Sequence, residues 1–268
     1  MTPTRPEPGA ILDHACVLSP DPERAAAFLA RACAMARKPI PGGWECTGPH
    51  RTLLVREGPA NRIAFFAYAF DSAERLEAHR RKASAAGARA LPNPSPRFDA
   101  SACAFEDPDG NVVAFGLLPK AAPAPEEPLP ARLQHLALRT PRLDDMASFY
   151  ESLGFVVSDR VRDDAGALRA CFLRTDAEHH ALALFGAAEA RFDHLSCETR
   201  DSAAVIAWPT AWLPRASRST GASGGTARAT MSSSWCRIRT GTSSRSRRTS
   251  RCATHRARRA RGGTSSAR

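Results

Sequence analysis

The sequence predicts an α+β protein in which a strand, a helix and several further strands recur as a unit. Short runs with alternating apolar and polar side chains are typical of half-buried strands, and helix start and stop signals lie between them. The same order of elements begins again after a proline-rich segment, which indicates an internal repeat. A chain of 268 residues can form one or two domains. The repetition favours two domains with two units each.

The first half of the chain contains the pattern twice. An alanine-rich helix is expected to end near Met35, and a second helix to begin at Asp71, with Glu74 completing a capping box, and to end at Gly87. The Asp-Pro-Asp-Gly sequence of residues 107–110 suits a tight turn between the last two strands. Strands are predicted at residues 11–18, 51–56, 62–70, 102–106 and 111–117.

The second half repeats this order after residues 119–130, whose many prolines predict an extended linker. Thr140 as N-cap and Pro141 at the first helical position predict a helix that Gly154 ends, and Asp201 is expected to cap the last helix. The predicted divisions are a disordered N-terminus over 1–10, domains over 11–118 and 131–207 with the linker between them, and a basic tail over 208–268.

The net positive charge of the chain comes from its C-terminal end. The net charge is +11, and 14 arginines but no lysine, aspartate or glutamate lie from Trp208 onward, so that the preceding part is mildly acidic. The tail lacks apolar periodicity, which predicts disorder. Because a basic patch on a folded part is absent, we expect no specific nucleic-acid partner, only salt-sensitive nonspecific binding by the tail.

The sequence contains no candidate membrane span and no apolar segment typical of a secretory signal at its N-terminus. The eight cysteines form neither a CxxC pair nor a regular spacing. The cysteine pattern predicts a reducing, cytoplasmic location, and the lack of a candidate span predicts no membrane partner.

Three histidines in the second half lie in short apolar runs: His135, His180 and His194. A single histidine in a strand is more often a hydrogen-bonded core residue than a metal ligand. Two of them at the starts of successive units favour metal binding, because neutral imidazoles bound to a cation are satisfied, whereas buried polar groups without partners are costly. His179 alternates to the opposite face of its strand and is predicted to lie at the surface.

This arrangement resembles the vicinal oxygen chelate superfamily of glyoxalases, bleomycin-resistance proteins and extradiol dioxygenases, and is most similar to two-domain extradiol catechol dioxygenases. The resemblance covers residues 11 to about 207 and implies tandem βαβββ modules around cup-shaped sites. It implies that His135 and His194 bind Fe(II), or alternatively Mn(II), and that His180, 14 residues before His194, is an acid–base catalyst. A catechol-type diol and dioxygen are the implied substrates, and a homo-oligomer is the implied assembly.

The same resemblance implies an N-terminal domain without metal, as in two-domain extradiol enzymes. His14 stands at the first ligand position, but Ala64 is assigned to the second and Ala114 to the third. His14 is therefore expected to be a core histidine.

The third ligand of the superfamily is a glutamate that follows an Asp-Pro-x-Gly-Asn turn, and the tail contains no carboxylate. A change of reading frame near Trp208 would restore this motif, because the codons of residues 237–242 can be respelled as Asp-Pro-Asp-Gly-Asn and the junction of Ser244 and Arg245 as Glu. We predict that residues 208–268 are out of frame, that the last module is incomplete, and that the chain as written has little or no activity.

Two other functions stay open at this point. One is a glyoxalase-like, metal-dependent isomerase or lyase, and the other is a metal-free small-molecule binding protein of the resistance type. The position of His180 favours a dioxygenase over both.

Overall fold

The computed structural model describes residues 9–119, 131–199, 228–232 and 235–239. These residues form strands that assemble into two sheets, with helices packed against them. In chain order the elements are β1 (Ala10–Ser19), α1 (Pro22–Ala32), β2 (Ala36–Ile40), β3 (Gly43–Gly48), β4 (Arg51–Glu57), β5 (Ile63–Phe70), α2 (Ala73–Ala85), β6 (Ala90–Leu91), β7 (Cys103–Glu106), β8 (Val112–Leu117), β9 (Ala131–Thr140), α3 (Leu143–Ser152), β10 (Val156–Arg162), β11 (Leu168–Arg174), β12 (Leu182–Gly186), β13 (Arg191–Thr199), β14 (Arg228–Ser232) and β15 (Trp235–Arg239).

Both sheets are built on the same plan. Their strand orders are β2-β3-β4-β1-β5-β8-β7-β6 and β10-β11-β12-β9-β13-β15-β14. In each sheet the first strand of the half, β1 or β9, pairs in parallel with the last strand of its own module, β4 or β12. It also pairs antiparallel with the first strand of the next module, β5 or β13. The predicted α+β fold of βαβββ-like modules is confirmed.

The fourth module departs from this plan. Strand β8 is parallel to β5, whereas β15 is antiparallel to β13 and forms a hairpin with β14. Within the predicted tail, residues 228–232 and 235–239 form these two strands, which hydrogen-bond at the edge of the second sheet. The other tail residues, the linker over 120–130 and the helix expected at Asp201 lie outside the described residues.

The starts of several strands and helices differ from the prediction by one or two residues. Strand β1 begins at Ala10, inside the segment predicted to be disordered. Ser72 rather than Asp71 caps α2, because its extended backbone lets the hydroxyl accept the N–H of Arg75. Thr140 is the last residue of β9 and not the cap of α3, which begins at Leu143. No helix in the described ranges has the length and apolar character needed to cross a bilayer.

The larger apolar cluster includes side chains from both halves of the chain. The fully buried ring of Tyr68 packs 5.8 Å from that of Phe115 and 5.2 Å from that of Phe155, which follows α3. Across the same interface, the buried hydroxyl of Tyr150 donates to Asp107 Oδ2 at 2.9 Å. Burial of each such aromatic side chain contributes roughly 2 kcal/mol, so that the two halves stabilise each other.

Candidate metal centre

Three imidazole rings converge on one face of the second sheet. His135 on β9 and His194 on β13 are 7% and 1% exposed, and their Nε2 atoms are 3.1 Å apart. His194 lies opposite Ala137, two residues from His135, so that the pleat of the sheet places both imidazoles on the same face. A register shift between Phe192 and His194 sets this pairing.

His180 completes the cluster from a loop rather than from a strand. The predicted strand containing it begins only at Leu182, so His180 lies in the loop over 175–181 between β11 and β12. Its ring centroid is 4.3 Å from that of His135. His179 is exposed, as predicted, and its Nδ1 lies 2.9 Å from Nδ1 of His180. Burial, together with the neighbouring His179 and His194, lowers the pKa of His180 to about 4.

The side chain that precedes each central histidine fixes its ring. Asp193 Oδ2 accepts a hydrogen bond from His194 Nδ1 at 2.8 Å, and Gln134 Oε1 accepts one from His135 Nδ1. Because the acceptors occupy the Nδ1 side, the proton is held there and Nε2 presents its lone pair. Neither Gln134 nor Asp193 was predicted to have a role, although the pairs Asp13-His14, Gln134-His135 and Asp193-His194 repeat a visible pattern of a polar residue followed by histidine.

The two central histidines have different outer partners. Asp193, nearly inaccessible to solvent, also accepts a hydrogen bond from Arg139 Nε at 2.9 Å. Gln134 Nε2 donates instead to Glu178 Oε2 at 2.9 Å and to the backbone carbonyl of His180 at 2.8 Å. A charged contact therefore orients His194, whereas an amide connects His135 to the loop that carries His180.

The chemistry of the pair fits a divalent metal ion. Two Nε2 atoms that face each other can both give a lone pair to one shared cation. Two nitrogen ligands about 2.1 Å from one ion are about 3 Å apart when they take neighbouring octahedral positions, and the observed separation is 3.1 Å. Within the described ranges, however, no group of three or more His, Cys, Asp or Glu side chains could hold a metal ion. Among the described residues, the site supplies two histidines as metal ligands and no carboxylate beside them.

Aromatic side chains form an apolar wall beside the histidines. The Phe172 ring meets the His180 ring edge-on at 5.0 Å, and the Phe185 ring lies 6.4 Å from that of His194. Phe172 and Phe185 themselves are 6.0 Å apart. This wall suits a flat apolar ligand next to the polar cluster.

The corresponding position in the first sheet holds a phenylalanine. Cys16, two residues after His14, pairs with Phe65, just as the residue two positions after the first central histidine pairs with His194. The assignment of Ala64 to the second ligand position is therefore wrong by one residue, because the register shift in these paired strands is not visible in the sequence. The Phe65 ring meets the His14 ring edge-on at 5.8 Å and offers no donor atom to a metal.

His14 is fully buried among partners of its own half, as expected for a core histidine. Its Nε2 lies 2.7 Å from Ser95 Oγ and its Nδ1 lies 2.6 Å from Asp13 Oδ2. The ring of Phe98 packs 4.9 Å away, and Ala114 is buried in the same apolar cluster. Burial lowers the pKa of His14, against the opposing effect of the Asp13 carboxylate. The loop residues Ser95 and Phe98 thus cover the His14 face of the first sheet. The corresponding face of the second sheet carries the histidine cluster.

Residues 132–210 match the family model described as the Glyoxalase/Bleomycin resistance protein/Dioxygenase superfamily. This part of the chain is similar to members of that superfamily. Metapyrocatechase 2 of Cupriavidus necator is 28% identical over 169 residues, covering 54% of this chain and 51% of that protein. The chain therefore spans about half the length of this curated relative.

Solved extradiol enzymes of the superfamily share the fold. A variant of homoprotocatechuate 2,3-dioxygenase from Brevibacterium fuscum is 18% identical with a TM-score of 0.66, covering 84% of this chain and 67% of that chain. The native enzyme from Arthrobacter globiformis is 20% identical with a TM-score of 0.65, covering 84% and 75%. At this identity the likeness shows the fold. Together with the family match it confirms the predicted resemblance to two-domain extradiol dioxygenases.

Proposed function

We propose that the parent of this chain is an extradiol ring-cleaving dioxygenase that acts on a catechol-type aromatic diol with dioxygen and Fe(II), or alternatively Mn(II). The observation that carries the proposal is the 3.1 Å approach of the Nε2 atoms of His135 and His194, with the ring of His180 beside them. The fold of the homoprotocatechuate dioxygenases and the similarity to metapyrocatechase 2 support it.

Each residue of the cluster has a distinct role in this proposal. His135 and His194 would hold the metal through Nε2, and a bound metal supplies positive charge that gathers the diol oxygens and dioxygen at one centre. His180 lies beside this pair and is positioned to take a hydroxyl proton from the diol. The apolar wall of Phe172 and Phe185 would orient the aromatic ring of the substrate and exclude water from it.

We further propose that the chain as written is impaired by a change of reading frame near Trp208. The family match ends at residue 210, close to that position. In the second module the Asp-Pro-Asp-Gly turn leads into β8, parallel to β5, whereas an antiparallel hairpin from the tail occupies the corresponding edge of β13. The third, carboxylate ligand would then be missing. A cytoplasmic location, a homo-oligomeric state and the lack of specific nucleic-acid and membrane partners stay predictions.

The test compares the chain as written with a chain in which the reading frame is restored. Both are loaded anaerobically with Fe(II), their metal content is measured, and ring cleavage is followed by the colour of the product with a panel of catechols. We expect activity only in the frame-restored chain. His180→Gln in that chain should keep the metal and lose about 100-fold or more in turnover, whereas His50→Asn, at an exposed turn position with φ of 55°, should leave both unchanged.

The same experiment separates the alternatives. A metal-loaded, frame-restored protein that cleaves no catechol would overturn the dioxygenase proposal. Metal-dependent turnover of another substrate that His180→Gln leaves intact would favour an isomerase or lyase, and tight diol binding without metal would favour a resistance-type binding protein.

A further inference from the structure

The loop that carries His180 is attached at both ends to the N-terminal half of the chain. At its start, the backbone N–H of Gly9 donates to the carbonyl of Thr175 at 2.6 Å. At its end, the hydroxyl of Tyr68 donates to the carbonyl of Ala181 at 3.0 Å. We propose that Tyr68 is a positioning residue that fixes His180 beside the metal centre from the opposite half of the molecule. The catalytic meaning of this role rests on the proposed function, but the contact itself does not.

Tyr68 is suited to this role because it has little freedom to move. Its side chain is fully buried, and its ring is held between Phe115 at 5.8 Å and Phe155 at 5.2 Å. Burial raises the pKa of the Tyr68 hydroxyl well above its ordinary value, so that the group stays protonated and acts as a donor. A rigid donor on one half therefore meets a loop carbonyl on the other.

The loop carbonyls also receive donors from β9, on both sides of the first central histidine. The backbone N–H of Leu136 donates to the Ala181 carbonyl at 3.1 Å, and Gln134 Nε2 donates to the His180 carbonyl at 2.8 Å. A carbonyl oxygen has two lone pairs, so Tyr68 and Leu136 can both be satisfied by Ala181. These bonds join β9, Tyr68 and the loop into one unit that sets the 4.3 Å approach of the His180 and His135 rings.

The chain offers a matched control for removing the Tyr68 hydroxyl. Tyr150 is equally buried, and its hydroxyl donates across the same interface to Asp107, in the turn between β7 and β8. Tyr68→Phe and Tyr150→Phe each delete one oxygen from a buried ring. They differ in the lost acceptor, which is a backbone carbonyl of the His180 loop for Tyr68 and the Asp107 carboxylate of that turn for Tyr150.

Hydrogen exchange of the metal-free 268-residue chain measures the anchoring directly. In Tyr68→Phe, backbone amides of residues 173–182 should exchange about fivefold faster, the effect of losing one neutral hydrogen bond. Amides of residues 107–111 should be unchanged in this variant. Tyr150→Phe should show the reverse pattern. Equal acceleration in all peptides of Tyr68→Phe would indicate a merely structural role and would overturn the proposal.

The ring signals of His180 provide a spectroscopic readout. With 13C-labelled histidine, the His180 resonance, assigned by its loss in His180→Gln, should shift in Tyr68→Phe because the ring moves relative to Phe172 and His135. It should stay in place in Tyr150→Phe, and an unchanged resonance in Tyr68→Phe would contradict the proposal. In an active frame-restored chain, Tyr68→Phe should lower kcat with little change in KM. If that chain proves inactive while the exchange pattern appears, the proposed function fails and the anchoring role stands.

Discussion

At the scale of single residues, His79 makes the stability of the fold sensitive to acid. It is 5% exposed on α2, and its ring lies tilted against that of Phe115 with the centroids 3.9 Å apart. Within the described part of the chain, neither ring nitrogen has a hydrogen-bond partner. Burial, assisted by Lys82, lowers its pKa to about 4, whereas in an unfolded chain it would be about 6.5. Between pH 6.5 and pH 4 the unfolded state therefore binds a proton that the folded state does not. The contribution of neutral His79 to the free energy of unfolding is complete above pH 6.5, and about 3 kcal/mol is lost as the pH falls towards 4.

Replacing His79 should therefore increase stability and reduce its pH dependence. We expect His79→Leu to raise the free energy of unfolding at pH 7 by about 1 kcal/mol, because a buried polar group without partners is removed. Urea unfolding at pH 7 and pH 5 provides the measurement, with His50→Asn at an exposed position as control. Identical pH dependence in the wild type and His79→Leu would show that this histidine is not the responsible group.

The residues of the metal centre could be predicted better than their surroundings. His135 and His194 were recognisable because apolar runs place them on related strands, and His180 because of its spacing from His194, although it lies in a loop. Phe65 was not, because a one-residue register shift decides which side chain faces His14, and such a shift arises from pairing between strands.

At the scale of elements, the start of α2 distinguishes two candidate caps. Ser72 accepts a hydrogen bond from the Arg75 N–H, whereas Asp71 makes only an exposed ion pair with the Arg75 side chain. We expect Ser72→Ala to lower the free energy of unfolding by about 1 kcal/mol and Asp71→Ala to lower it by at most about 0.5 kcal/mol. Thermal or urea unfolding of the two variants checks the order, and a larger loss in Asp71→Ala would assign the cap to the aspartate instead.

The strands differ in how strongly the sequence pattern predicts them. The central strands β1, β5, β9 and β13 have strong apolar runs, because they are buried in the middle of each sheet. Strands β2 and β10 lie at sheet edges and are mostly exposed, so their side chains show little of the alternation that predicts a strand.

At the scale of the whole molecule, the two halves share a strand order but differ in the residues at the centre of each sheet. In the first half, Phe65 on β5 and the loop residues Ser95 and Phe98 surround the buried His14. In the second half, two imidazoles face each other. The internal repeat predicted this common plan. The contacts between halves, such as that of Tyr68 with Ala181, depend on residues 113 positions apart and have no local signal in the sequence.

A complete centre should couple metal binding to the stability of this molecule. A ligand that binds only the folded state at 100 times its dissociation constant stabilises it by about 2.7 kcal/mol. We therefore expect Mn(II), added anaerobically, to raise the unfolding temperature of the frame-restored chain. The chain as written should respond far less, because two histidines without a carboxylate bind weakly. His194→Ala in the frame-restored chain should abolish the shift, while His50→Asn should retain it. Equal increases in the unfolding temperature of the two chains would mean that the third ligand does not come from the missing strand. The proposed link between reading frame and activity would then be wrong.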